Sequence, residues 1–196
     1  MADLIIITAG FMILFLVQMK RGAVLGAMRD VSSSLFVVVY VGLLGQSLIF
    51  LRNFNSKALF YIFLVVWLYD SGAYFIGSTL GNKKLCPKFS PKKTYEGLFG
   101  GIAIAVGVVG TIKILAPSFF PDQFGGTAGI AVLTILLSLA AQTGDIAESI
   151  IKRDMGVKDS SGLIPGHGGF LDKLDSFLFA APLLLIYFIV SAMWIK

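Results

Sequence analysis

The chain has 196 residues, 57% of them hydrophobic and only 14% charged, with a mean hydropathy of +0.88. A soluble domain carries roughly a quarter charged residues, so this composition excludes one and predicts an integral membrane protein. The net charge of +5 is spread between apolar runs, which argues against nucleic acid as a partner, and the single cysteine, Cys86, excludes an intramolecular disulfide or a multi-cysteine metal cage.

Crossing a hydrocarbon core about 30 Å thick takes about 20 mostly apolar residues. Six such runs follow one another, at 4–19, 31–51, 58–79, 98–116, 128–151 and 174–194. They predict an all-α fold, a polytopic bundle of about six transmembrane helices in a single domain spanning 1–196. The first run starts at Asp3, without the basic stretch of a cleaved signal, and is read as a retained helix. If the runs alternate across the bilayer, one face receives Lys20, Arg21, Arg29, Lys83, Lys84, Lys88, Lys92, Lys93, Lys152, Arg153, Lys158 and Lys173, leaving Arg52, Lys57, Lys113 and Lys196 for the other. The positive-inside rule then places the lysine-rich face in the cytoplasm and both termini outside, in an inner or plasma membrane. The polar clusters open toward that same face, where they predict an active-site cavity.

The third run and its exit read WLYDSGAYFIGSTLGNKKLCPKFSPKKTYEG. Asp70 stands about ten residues before Gly81, roughly 15 Å inside a helix, and a carboxylate at that depth is a functional-site hypothesis by default. Gly72, Gly77 and Gly81 let a neighbouring helix or a lipid head group come close. After them, Ser90, Lys92, Lys93 and Thr94 form a compact set of phosphate-seeking donors.

The fifth run ends AAQTGDIAESIIKRD. Asp145, Glu148 and Lys152 lie at i, i+3 and i+7, and Asp145 and Ser149 at i and i+4, so they share one helix face. An ordinary Glu148–Lys152 ion pair is the simpler alternative. The loop that follows carries Gly156, Gly162, Gly166, Gly168 and Gly169, whose freedom at positive φ suits backbone N–H groups turned toward an anion. His167 stands among them as a phosphate or base contact. Asp172, Asp175 and Ser176 then open the sixth run. One aspartate is enough to cap a helix; the second, with Asp145, makes three carboxylates that could converge on a hard divalent ion shared with substrate phosphates.

The run SIIKRDMGVKDSSGLIPGHGGFLDKLD, 149–175, resembles the signature of the phosphatidate cytidylyltransferases, the CDP-diacylglycerol synthases. Every polar position fits except Lys173, where the family has arginine. Upstream, Trp67, Asp70, Tyr74, Gly77, Ser90, Pro91, Lys92, Lys93, Thr94, Glu96 and Gly97 are similar to the family's second pattern, with Ser71 where threonine is commoner. The resemblance runs from about Trp67 to the C-terminus. Members are longer by several N-terminal spans, which implies a shortened chain or a short variant.

The resemblance implies transfer of a cytidylyl group from CTP to phosphatidate, releasing pyrophosphate, with Mg²⁺ required. It implies that Asp145, Asp172 and Asp175 hold metal, and that Lys152, Arg153, Lys173 and His167 neutralise phosphate charge. Ser90, Lys92, Lys93, Thr94, Ser149, Gly168 and Gly169 would bind substrate. Asp70 is placed behind the metal ligands or on a second, monovalent cation. A homodimer is expected from the resemblance and from the small residues of the third and fourth runs. Two other readings are a CTP-dependent lipid-alcohol kinase and a transporter with Asp70, Asp145 and Glu148 on a cation path.

Overall fold

The computed structural model describes residues 2–22, 24–162 and 169–194. Among the described residues the regular structure is helical apart from one small hairpin, and the chain divides into two compact units, 1–46 and 47–196.

The first unit holds α1 (Ala2–Arg21) and α2 (Ala27–Val37). Between them Gly22 and Gly26 take φ of +66° and +83°. Arg21 meets Asp30 at 3.9 Å with both side chains exposed, a geometry that contributes little. From α2 the helix runs on through a π-turn (Val38–Leu43) into α3 (Leu44–Phe54).

The second unit contains α4 (Ser56–Thr79), β1 (Lys84–Cys86), β2 (Ser90–Thr94), α5 (Tyr95–Leu115), α6 (Thr127–Asp154) and α7 (Leu171–Trp194). Among the described residues five helical stretches are long and apolar enough to cross a membrane: Ala27–Phe54, Ser56–Thr79, Tyr95–Leu115, Thr127–Asp154 and Leu171–Met193. The first predicted run is also helical, as α1. The chain is therefore a polytopic, all-α membrane protein.

Helices α4, α5 and α7 start before their predicted first residues, and α6 ends after its predicted last one. Polar or glycine caps outside the apolar runs set the starts of α4 and α5 and the end of α6. Asn55 accepts from the Lys57 N–H to start α4, and Thr94 from the Gly97 N–H to start α5. At the far end of α6, Gly156 takes φ +68°. Its N–H donates to the Arg153 carbonyl and that of Val157 to the Lys152 carbonyl, which closes the helix and turns the chain back. Because α7 starts at Leu171, Asp172 and Asp175 both fall inside its first two turns.

The hairpin departs from the helices-and-loops expectation. β1 and β2 pair antiparallel, Lys84 with Thr94 and Cys86 with Ser90. Glu96 fixes it to α5 by accepting from the Lys83 N–H at 3.2 Å.

The core of this unit is built mainly of apolar side chains from α4, α5, α6 and α7, including Ile62, Val65, Val109, Leu137, Ala181 and Leu184. Tyr61 is buried among them with its hydroxyl 2.8 Å from Thr134 Oγ1. Large apolar side chains such as Trp67, Phe75 and Phe99 face outward, as the lipid-facing side of a membrane helix requires.

Helices α4 and α5 meet along a seam of small residues. A Cβ on Gly101 would come within 2.7 Å of the Tyr69 carbonyl oxygen, and one on Gly97 within 2.8 Å of that of Ala73. Backbone lies against backbone there, which only glycine permits. Gly72, Gly77 and Gly101, among the small residues of the third and fourth runs that suggest a homodimer, are used within the chain.

Candidate active site

Helices α4 and α6, the start of α5 and the hairpin enclose a cavity of about 590 Å³. Its wall includes Asp70 from α4, Lys92 and Lys93 from β2, Thr94 at the α5 cap, and Asp145 from α6. The strand explains how two consecutive lysines serve the site. Successive side chains alternate across a strand, and Lys93 is half-buried where Lys92 is exposed. Lys93 Nζ forms an ion pair with Asp145, which joins the hairpin to α6 across the cavity. Thr94 is buried, and its hydroxyl oxygen accepts from the Gly97 N–H while the residue lines the cavity.

A second polar cluster lies where α6 ends and α7 begins. Lys152 Nζ donates to Glu148 Oε2 and to Asp172 Oδ1, each at 2.7 Å. The other oxygen of Asp172 accepts from the Ser160 N–H at 3.0 Å, the Ser160 hydroxyl at 2.8 Å and the Gly169 N–H at 2.6 Å. Asp172 therefore ties both described ends of the 155–170 loop to α6. Glu148 is 1% exposed, and its Oε1 has no hydrogen-bond partner among the described residues.

Asp175 links the two clusters. It is buried at the α6–α7 contact and accepts from its neighbour, the Ser176 N–H, at 2.7 Å. Its charge interacts with those of Asp145, Asp70 and Glu148. The α6 backbone comes against it at Gly144, where a Cβ would collide with the Asp175 carbonyl oxygen. Three carboxylates from three helices thus lie within electrostatic range of one another, and Lys93 is paired directly to one of them, Asp145.

The structure brings Asp70, Lys92, Lys93, Thr94 and Asp145 into one cavity, and Lys152 and Asp172 into the adjoining clamp. Ser90 lies at the far end of β2, opposite Cys86. Arg153 donates from Nε to the Phe89 carbonyl at 3.3 Å, bracing the hairpin turn against α6. Ser149 is half-buried on α6, and Lys173 is exposed. Gly169 contributes its N–H to Asp172. His167 and Gly168 lie outside the described residues.

Sequence reasoning missed Ser160, which holds Asp172, and a buried pair on the cavity wall in which the Tyr69 hydroxyl donates to Gln142 Oε1. Gln142 was within reach of inspection, since it is an amide in an apolar run, three residues before Asp145 and so on the same helix face.

Among the described residues no three His, Cys, Asp or Glu side chains are grouped as a ready-made metal cage. A Mg²⁺ ion needs none, because it is commonly held by one or two carboxylates together with substrate phosphates and water. Asp70 and Asp145 on the wall, with Asp175 behind them, fit that requirement. Asp172 would have to release Lys152 and two backbone N–H groups to join them.

Residues 2–191 match the model of the cytidylyltransferase family. Among curated proteins, the chain is 42% identical over 156 residues to a phosphatidate cytidylyltransferase of Bacillus subtilis (strain 168), covering 78% of this chain and 55% of that one. It is 41% identical over 186 residues to one of Brucella suis biovar 1, covering 92% and 63%. To one of Staphylococcus aureus (strain COL) it is 43% identical over 165 residues, covering 83% and 60%. The chain thus spans less than two thirds of the length of each of these relatives. With the family's model matched from residue 2 to residue 191, the chain belongs to the cytidylyltransferase family.

Proposed function

We propose that the chain transfers a cytidylyl group from CTP to phosphatidate, forming CDP-diacylglycerol and pyrophosphate. The observation that carries this reading is the cavity in which a basic strand and acidic helix positions face each other, with Lys93 bridging to Asp145. Such a site suits two polyanions that must be held together with a cation. The relatives named phosphatidate cytidylyltransferase supply the identity of the two substrates.

In this reading an oxygen of the phosphatidate phosphate attacks the α-phosphorus of CTP, and the bond from that phosphorus to the β-phosphate oxygen breaks. A phosphomonoester has a second pKa of about 6, so the attacking oxygen is already largely ionised at neutral pH. The protein's work is then to position and to neutralise. Lys92 and Lys93 receive phosphate oxygens on the hairpin side, and Lys152, Arg153 and Lys173 surround the α6–α7 side, with His167 assigned to a phosphate contact there. Asp145, with Asp70 and Asp175, would hold Mg²⁺, which when bound neutralises phosphate oxygens of both substrates. Asp172 fastens the glycine-rich loop through Ser160 and Gly169.

We place the cavity on the cytoplasmic side, both termini outside, and two copies in a homodimer. The lysine-rich loops support the orientation through the positive-inside rule, and cysteine labelling of intact cells at positions 22 and 158 tests it. Cross-linking in native membranes tests the dimer.

The activity is tested by incubating the detergent-purified chain with CTP, phosphatidate and Mg²⁺, following pyrophosphate and liponucleotide, with an EDTA control. Both products, abolished by EDTA, are expected. Release of CDP without pyrophosphate would replace this reading with a CTP-dependent lipid kinase.

A further inference from the structure

The cavity wall contains a polar group that the proposed chemistry does not use. Gln142 is 7% exposed and Tyr69 1% exposed, and both line the cavity. The Tyr69 hydroxyl donates to Gln142 Oε1, which fixes the amide plane and leaves the Nε2 group on its opposite side. That Nε2 is buried and has no hydrogen-bond partner among the described residues. A buried donor left unpaired is costly, and native proteins rarely keep one without a use for it.

The position of this donor indicates what it meets. Gln142 lies twelve residues before the end of α6 and Tyr69 ten before the end of α4, roughly 15–18 Å from the helix ends that carry the charged clusters. Asp145 lies about one turn nearer that end of α6 than Gln142, and Lys93 is paired to it. Ala73 and Leu98 line the same cavity and are apolar, while Asp70 and Asp145 are its acidic members. Phosphates entering the cavity encounter lysines first, and a neutral amide competes poorly for them. The part of a phospholipid that sits one step deeper than its phosphate is the acyl ester, whose carbonyl oxygen accepts hydrogen bonds and donates none.

We propose that Gln142, oriented by Tyr69, donates to an acyl ester carbonyl of the lipid substrate and so selects ester-linked over ether-linked lipid. Gln142 is a specificity-determining residue on this assignment and Tyr69 its positioning residue. The inference rests on the phosphatidate reading above.

The test compares dioleoyl phosphatidate with its dialkyl ether analogue of equal chain length. Binding to the detergent-purified chain is measured without CTP, and liponucleotide formation separately with CTP and Mg²⁺. Wild type is expected to bind the ester about 3–10-fold more tightly, the size of one hydrogen bond to an uncharged acceptor. In Gln142→Leu the preference falls to within about 1.5-fold of unity, because the donor is gone. Tyr69→Phe, which keeps the ring and frees the amide, gives an intermediate preference and carries the test should the leucine variant not fold.

Persistence of the full preference in both variants overturns the proposal. So does a Gln142→Leu defect confined to CTP affinity, which would assign the amide to the nucleotide instead. Equal binding of ester and ether by a wild type that still makes liponucleotide overturns the proposal and leaves the activity standing. Binding of neither lipid, with no liponucleotide, overturns both.

Discussion

Replacing Asp172 by asparagine isolates the charge at the loop clamp while keeping its shape. One carboxylate oxygen accepts from Lys152 and the other from three donors, the Ser160 N–H and hydroxyl and the Gly169 N–H. An amide has only one accepting atom. Whichever way the asparagine side chain turns, its NH₂ faces either the lysine ammonium or the two backbone N–H groups. The pair is well shielded, with Asp172 11% and Lys152 17% exposed, so screening by water is small. Hydrogen bonds to a charged group contribute about 1.5–3 kcal/mol each, and losing one of them makes opening of the loop about 10–100-fold more frequent. Hydrogen–deuterium exchange on the detergent-solubilised chain reads this directly. Ser160 and Gly169 amides should exchange one to two orders of magnitude faster in Asp172→Asn, while amides in the middle of α4 keep their rates. Liponucleotide formation should fall at least tenfold. Unchanged exchange at Ser160 and Gly169 would refute the clamp.

Three further outcomes follow from the packing and the charge layout. Gly101→Ala should destabilise the chain by about 1–3 kcal/mol, because the new methyl meets Tyr69 and Ala73 backbone atoms at 2.7–3.0 Å. Gly107→Ala, on the same helix with nothing within 4 Å, should be neutral or slightly stabilising; equal apparent melting temperatures for the two variants would refute the seam. Lys93→Met removes the cation bound to Asp145, so Mn²⁺ should bind more tightly in the absence of nucleotide while turnover falls at least tenfold. Weaker Mn²⁺ binding, followed by electron paramagnetic resonance, would remove Asp145 from the metal site. Tyr61→Phe should cost about 1 kcal/mol in thermal unfolding, the value of its buried bond to Thr134, with no change in KM for either substrate.

The membrane bundle was legible in the sequence because apolar length is a strong, local signal. The positions of Asp70, Asp145, Asp172 and Asp175 were legible because carboxylates are conspicuous inside or beside such runs. The hairpin was not. Its strands are three and five residues long, lysine-rich and interrupted by Pro91, and proline within a run argues against a strand. Helix ends were misjudged by a few residues because Asn55, Thr94 and Gly156 act as caps through their own hydrogen bonds or conformation, outside any apolar pattern. Lys152 shows how two readings of one residue can both hold. Its local pair with Glu148 and its contact to Asp172 twenty residues on coexist on the same ammonium. The pairing of Tyr69 with Gln142 was invisible because its members lie 73 residues apart, although Gln142 by itself stands out as an amide in an apolar run.

The glycine seam also sets an order for the protein's birth in the membrane. Helices α4 and α5 are neighbours in the chain, joined only by the hairpin, and everything their seam requires has been synthesised once Leu115 leaves the ribosome. Local pairs of this kind form quickly, before distant segments are available. The floor of the cavity and its lysines therefore come first, and Lys93 waits for Asp145 to arrive on α6. The Asp172 clamp closes last, with α7. During translation the nascent site holds its lysines with Asp70 alone, able to gather phosphate-bearing lipid head groups around itself before Asp145 and Asp175 are in place.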